Sequence, residues 1–75
     1  MTVLAGLYRA TVTNAADPLG RHRLQVAAAV LSSGPAWAEA CMPAGSTTLP
    51  AKGSTVWLQF EAGDASRPVW IGVHP

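Results

Sequence analysis

The residues of this chain that could do chemistry are few and far apart. Hydrolysis or group transfer needs a nucleophile beside a base, a pair of carboxylates in a cleft, or a metal. The imidazoles are His22 and His74. His22 stands between Arg21 and Arg23, and two flanking cations oppose the arrival of the proton a general base must accept. His74 is the penultimate residue, where chain ends fray. Glu61 and Asp64 lie three apart in a segment containing Gly63, a spacing that suits a salt bridge or turn cap better than an acid–base pair. Cys41 is the single cysteine, so no disulfide forms within the chain, and one thiol with two scattered histidines has no zinc spacing. A lone cysteine of this kind reads as a small buried hydrophobe. No glycine-rich phosphate loop and no nucleophile elbow occurs. The expectation is a protein that is not an enzyme, with no catalytic residue, metal or cofactor.

Binding chemistry is the next class. Arg9, Arg21, Arg23 and Lys52, with Trp57 and Trp70 as stacking platforms, are the ingredients of a single-stranded nucleic-acid site. The five basic residues are offset by four acidic ones, for a net charge of +1. That is no field for recruiting a polyanion or an anionic lipid surface, so nucleic acid is not the expected partner. The longest apolar stretch, Val26–Leu31, is far short of the roughly 20 residues of a membrane span. The N-terminus carries no basic n-region of a secretory signal, which points to synthesis in a cytoplasm. The unusual property is apolarity: 49% of the 75 residues are hydrophobic and 12% charged, where about 25% charged is ordinary. A small domain has a high ratio of surface to volume and should need more polar surface. Apolar side chains therefore remain on its outside, and their natural outlet is a protein–protein interface.

The elements that must carry these residues are strands. Leu7–Asn14 alternates Tyr8, Ala10 and Val12 against Arg9, Thr11 and Thr13, a period of two. Asp17, Pro18 and Gly20 occupy the positions preferred in a type I turn: Asp starts it, Pro presets φ, and Gly accepts the left-handed exit. Arg23–Leu31 is read as the returning strand, with Leu24, Val26, Ala28 and Val30 on one face. Ala36–Met42 forms a third strand. Pro43–Gly53 is punctuated by proline and glycine too densely for a helix. Thr55–Phe60 is a fourth strand, Gly63 and Asp64 make a second turn, and Pro68–Val73 is a fifth strand, Pro68 being tolerated at its start. Five short strands without a helix form an all-β meander over residues 1–75, and closure into a barrel removes its exposed edges.

In the closing strands Val56, Leu58 and Phe60, with Val69, Ile71 and Val73, look like the barrel interior. Trp57 and Trp70 then point outward. Two placements are open for them: contact with another chain, where tryptophan is a common anchor, or a cover over an open barrel end beneath the Pro43–Gly53 loop. Trp37 is read as core or barrel rim.

Three blocks carry a family resemblance. Tyr8–Asn14, then Asp17-Pro18-Leu19-Gly20-Arg21, then Leu24-Gln25-Val26 resembles the first hairpin of the OB domain of phage baseplate spikes and type VI secretion spikes. Trp37-Ala38 followed by Pro43-Ala44-Gly45 is similar to that family's central segment. Val56–Asp64 and Arg67–Gly72 look like its paired closing strands. Gly53-Ser54 departs from the usual Gly-Asp, and the hub, needle and lysozyme parts that accompany the family's barrel are missing from the sequence. The resemblance implies a small five-stranded OB barrel as a stand-alone module without a helix between strands 3 and 4. It implies a structural virion protein of a phage tail tip, baseplate hub or related injection system, joining tail tube or hub to the spike. The expected partners are other copies of itself, as a trimer or another symmetric oligomer, and neighbouring tail proteins. Trp57, Trp70, Arg21, His22 and the loops Ala15–Arg21 and Pro43–Gly53 are the candidate contacts. A head–tail connector, a capsid-attached barrel and a single-strand-binding OB protein are the alternatives.

Overall fold

A computed structural model describes residues 3–75; Met1 and Thr2, the start of the N-terminus read above as lacking a signal, lie outside the described residues. Five strands form: β1 (Tyr8–Asn14), β2 (Leu24–Ala27), β3 (Ala36–Ala40), β4 (Thr55–Phe60) and β5 (Pro68–His74). They close into a barrel in the order β1-β2-β3-β5-β4. This is an all-β OB-type barrel, and its only helical element among the described residues is a 3-10 turn at Glu61–Gly63. Residues 41–54 contain neither helix nor strand.

The path differs from a meander. β4 does not pair with β3; it pairs antiparallel with β1, from Tyr8↔Leu58 to Thr11↔Thr55. β5 then fills the gap, antiparallel to β4 and parallel to β3 through Glu39↔Val69 and Ala40↔Trp70. The cause is the segment 41–54, which is long enough to carry the chain from β3 to the far side of the sheet. It joins β1 on arrival: Gly53 N–H donates to the Val12 carbonyl at 2.8 Å and Val12 N–H donates to the Ser54 carbonyl at 2.9 Å. Closure leaves no strand edge for unwanted pairing.

β2 is shorter than the pattern of alternating residues predicts. It stops at Ala27, and two successive turns follow, with Leu31 N–H bonded to the Ala28 carbonyl and Gly34 N–H to the Leu31 carbonyl. The partner strand explains the stop. β3 pairs with β2 only over Leu24↔Ala38 to Val26↔Ala36, and the alanines that follow have little strand preference of their own. Ala28 and Val30 still pack against the core, but from a loop.

The core is Ala10, Val12, Leu24, Val26, Ala38, Val56, Leu58, Phe60 and Trp70. Strands β1, β2 and β4 send inward the residues that alternation assigns, and β3 sends Ala38 inward, with Trp37 on its outer side rather than in the core. Strand β5 does not. Pro68 and Trp70 point in and are buried, Val69 and Ile71 point out, and Val73 is 50% exposed. A bulge between the pairs Leu58↔Trp70 and Trp57↔Gly72 makes Ile71 an extra residue. An extra residue shifts the phase of the pleat, so Gly72 and His74 follow on the outer side while Val73 comes opposite Val56 at the barrel mouth. The outward placement of Trp70 is thus overturned. An indole supplies more apolar area than any aliphatic side chain, provided its N–H finds an acceptor. Trp70 finds one: Nε1–H donates to the His22 carbonyl at 3.1 Å.

The N-terminal segment seals the turn between β4 and β5. Leu4 N–H donates to the Gly63 carbonyl at 3.0 Å. Gly63 has φ +74°, and a Cβ there would collide with the Val3 side chain.

Two stability outcomes follow from these placements. Trp70→Ala removes a fully packed ring and lowers the free energy of unfolding by about 3–5 kcal/mol, whereas Trp57→Ala costs about 1 kcal/mol or less; urea unfolding of the two variants measures the difference, and equal losses would refute the inward placement. Gly63→Ala, strained in φ and blocked by Val3, costs about 1–3 kcal/mol in the same assay.

Candidate functional site

The hairpin loop between β1 and β2 is built around one carboxylate. Gly20 N–H closes the turn on the Asp17 carbonyl at 3.0 Å. The Asp17 side chain accepts backbone N–H bonds from Leu19 at 2.9 Å, Arg21 at 3.0 Å and Arg23 at 3.1 Å. The Arg23 guanidinium grips the same carboxylate through Nε at 3.0 Å and Nη2 at 2.9 Å. Only 3% of the Asp17 side chain is exposed, so every acceptor site is used where water does not reach. The Arg23 contact, followed by the backbone donors, holds the Asp17 carboxyl well below the usual carboxylate range; the same contact raises Arg23.

Between Arg21 and Arg23, whose N–H groups Asp17 binds, lies His22, with φ +61°. Histidine is among the few non-glycine residues enriched in this left-handed region. The conformation aims its carbonyl at Trp70. His22 is therefore a backbone acceptor that fastens the loop to β5, and its half-buried side chain is not what the loop is built around. Arg21 is exposed at the loop's edge, 3.7 Å from Glu39. Leu19 at the loop tip is 62% exposed.

The second turn repeats the device on a smaller scale. Asp64 accepts from Ser66 N–H at 2.9 Å and Ser66 Oγ–H at 2.7 Å, which lowers its pKa, the backbone donor first. Arg67 lies 3.6 Å from Glu61 and 3.9 Å from Asp64.

The outer wall of β1, β4 and β5 has a different character. Trp57 stands opposite Arg9 on one side and Gly72 on the other. The Arg9 guanidinium lies 5.2 Å from the Trp57 ring centre, and the His74 ring is 5.4 Å away on the other flank. Val69 and Ile71 are half-buried, and Val73 and Leu7 are exposed. Cys41 is exposed rather than buried. Of the four candidate contact residues, Trp57 and Arg21 reach the surface on different faces, His22 acts through its backbone, and Trp70 is interior. Sequence reasoning missed two features. One is the reach of Asp17 to Arg23, which the Asp-x-x-x-Arg-x-Arg spacing signals only once the loop is known to fold back. The other is the stacking of Arg23 on Trp37 at 5.2 Å, which puts Trp37 on the outside of β3.

Among the described residues no three His, Cys, Asp or Glu side chains lie close enough to hold a metal ion. No buried side-chain polar atom among them lacks a partner. No helix among the described residues is long and apolar enough to cross a membrane. The arrangement offers fixed turns, an apolar wall and ion-paired loops, which are means of docking.

The family model of the type VI secretion system/phage-baseplate injector OB domain matches residues 8–74. The chain belongs to that family. The match runs from the first residue of β1 to the last of β5, so it covers the whole barrel, and the family is one of structural baseplate and spike domains. No curated protein matches the chain at a significant level.

The geometry at Asp17 fixes a pH dependence. Its native pKa is depressed, so its contribution to stability is complete above the ordinary carboxylate value of 3.8 and is lost as pH falls below it. Asp17→Asn lowers the urea midpoint at pH 7, and the gap to the parent narrows as pH drops through the carboxylate range; a gap of constant size at pH 7, 4 and 2.5 would contradict the assignment.

Proposed function

We propose that this chain is a structural part of a phage tail tip or baseplate, or of a related contractile injection system, where several copies join the tube or hub to the spike. The observation that carries the proposal is the family match across the entire closed barrel. The wall of β1, β4 and β5 supports it. On it lie Trp57, Val69 and Ile71, with Arg9 as the one charged residue of those strands' outer face. A half-exposed tryptophan among aliphatic side chains and few charges has the composition of an interface core. Copies that meet through such a wall do so as a closed symmetric oligomer, a trimer or another point group, with the hairpin loop and the 41–54 segment free for neighbouring tail proteins. The mechanism is rigid shape complementarity: the turns are locked by Asp17 and Asp64, so little loop entropy is lost on docking.

A single-strand-binding role finds less support. Trp70, one of its two proposed stacking platforms, lies in the core.

Sedimentation velocity tests the reading. The parent chain runs as an oligomer at micromolar concentration, and a Trp57→Asp, Ile71→Asp double variant runs as a monomer with an unchanged circular-dichroism spectrum. A parent that stays monomeric at every concentration, together with particle images in which no tail-tip density fits the barrel, would overturn it.

A further inference from the structure

Seven of the nine charged side chains are joined in ion pairs, as Asp17–Arg23, Arg21–Glu39 and Glu61–Arg67–Asp64. Arg9 and Lys52 have no such partner among the described residues. Arg9 stands at the edge of a hollow of about 360 Å³, bounded by β1, the start of β4, the end of β5 and the alanines at the end of β2. The polar side chains of its lining are Arg9, Thr11, Thr55 and His74; the rest are alanines, and no carboxylate lines it. The hollow beside Trp37 differs in kind, because Arg23 and Arg67 there are balanced by Glu39 and Glu61.

We infer that this hollow receives one carboxylate, an aspartate or glutamate side chain of a different protein that docks on the barrel. Thr11 pairs with Thr55 and Thr55 with His74, so these three stand in one row across three strands. Arg9, two residues from Thr11, shares their face. Its guanidinium lies over the Trp57 ring, 5.2 Å from the centre, and the His74 ring leans on the other flank at 5.4 Å. A guanidinium held over a ring is restrained in place but keeps its N–H donors. The two hydroxyls and the imidazole can each donate as well. A set of donors with one permanent positive charge has a carboxylate as its complement: a guanidinium takes the two coplanar oxygens as a fork, and the remaining lone pairs accept from hydroxyls. Ala27–Ala29 border the site and limit its contact with water, which strengthens an ion pair.

The number of charges selects the ligand. A polyanion gains affinity in proportion to the cations it neutralises, and one guanidinium lines this hollow, so a nucleic-acid strand or a dianionic phosphate is the poorer match. A second copy of the chain is a poor donor too. Each of its four carboxylates already faces an arginine, and moving one to Arg9 would weaken the pair it leaves. A different chain with an unpaired acidic side chain gains the whole ion pair. The inference goes beyond the assembly reading and fails separately from it: sedimentation reports association between copies, and ligand binding reports on the hollow.

The test is a titration of the isotopically labelled chain, followed by backbone amide NMR, with the blocked peptide acetyl-Ala-Glu-Ala-amide. Its glutamine counterpart, inorganic phosphate and oligothymidylate are the other arms. The expected result is that the glutamate peptide shifts the amides of Thr11, Thr55 and His74 at millimolar concentration, and that raising the salt to about 0.5 M weakens it several-fold. The glutamine peptide leaves those amides unmoved. Arg9→Gln weakens binding about tenfold without reducing association between copies, and Arg67→Gln, outside the hollow, leaves binding intact. Should Arg9→Gln also lower the unfolding midpoint, Thr11→Val keeps the branched shape, removes the hydroxyl and gives the second reading: weaker binding at unchanged stability. The inference is overturned by an absence of shifts with the glutamate peptide up to tens of millimolar. Equal shifts from the glutamine peptide, tighter binding of phosphate or oligothymidylate, or equal losses from Arg9→Gln and Arg67→Gln would also overturn it. So would loss of self-association in Arg9→Gln, which would make a second copy the donor.

Discussion

The hydrogen bond from the Trp70 indole to the His22 carbonyl joins the first hairpin to the last strand across 48 residues, and the remaining order of the barrel rests on it. A chain of this size buries about 60% of its unfolded surface and has no disulfide to help. It gains core area by burying one of its three indoles, Trp70, and cannot bury that ring with its N–H unpaired. An acceptor must therefore lie within reach of the Trp70 indole. The chain supplies a main-chain carbonyl from a loop, and the loop must be held rigidly for that carbonyl to stay in place. Asp17 does so by gathering the N–H groups on both sides of His22. Core packing, loop geometry and the left-handed backbone at His22 are thus one linked constraint.

The same constraint explains where sequence reading succeeded and where it failed. The alternation in β1 and β4 was legible because neighbouring side chains there differ sharply in polarity, Ala10 and Val12 against Arg9 and Thr11, Leu58 against Gln59. The turn at Asp17–Gly20 was legible because its residue types answer local backbone needs. The direction of β5 was not. Every residue from Pro68 to Val73 is apolar, so polarity gives no phase, and the bulge at Ile71 that sets the phase depends on pairing with β4. The order of the strands was hidden for a similar reason: the 41–54 segment has the composition of a loop whether it returns beside β3 or crosses to β1.

The candidate site was legible in its residue types and not in its grouping. Trp57, Trp70, Arg21 and His22 looked like one set because each stands near a turn or on a closing strand. The fold separates them: one ring inward, one ring outward, one guanidinium at a loop edge and one carbonyl bonded to the inward ring. Trp37, the least informative of the tryptophans by sequence, is the one flanked by ion pairs. Nothing in Ala-Trp-Ala-Glu-Ala shows that Arg23 will cover its ring, since that contact is made across strands and only after Asp17 has turned the hairpin loop back.

Low charge content therefore does not mean that charge is spread thinly. Seven of the nine charged side chains of the 75-residue chain, all but Arg9 and Lys52, are joined in ion pairs around the β1–β2 loop, β3 and the β4–β5 turn, which leaves Arg9 as the one charge on the outer side of β1, β4 and β5. Scattering the charges would make every face moderately soluble and none well suited to close packing. Concentrating them keeps one side hydrated and open to polar ligands, while the other can be covered without stripping water from ions, the step that makes buried charges costly. On this barrel the wall of β1, β4 and β5 can therefore be desolvated at little cost, while the loops on the other side carry their own counter-charges.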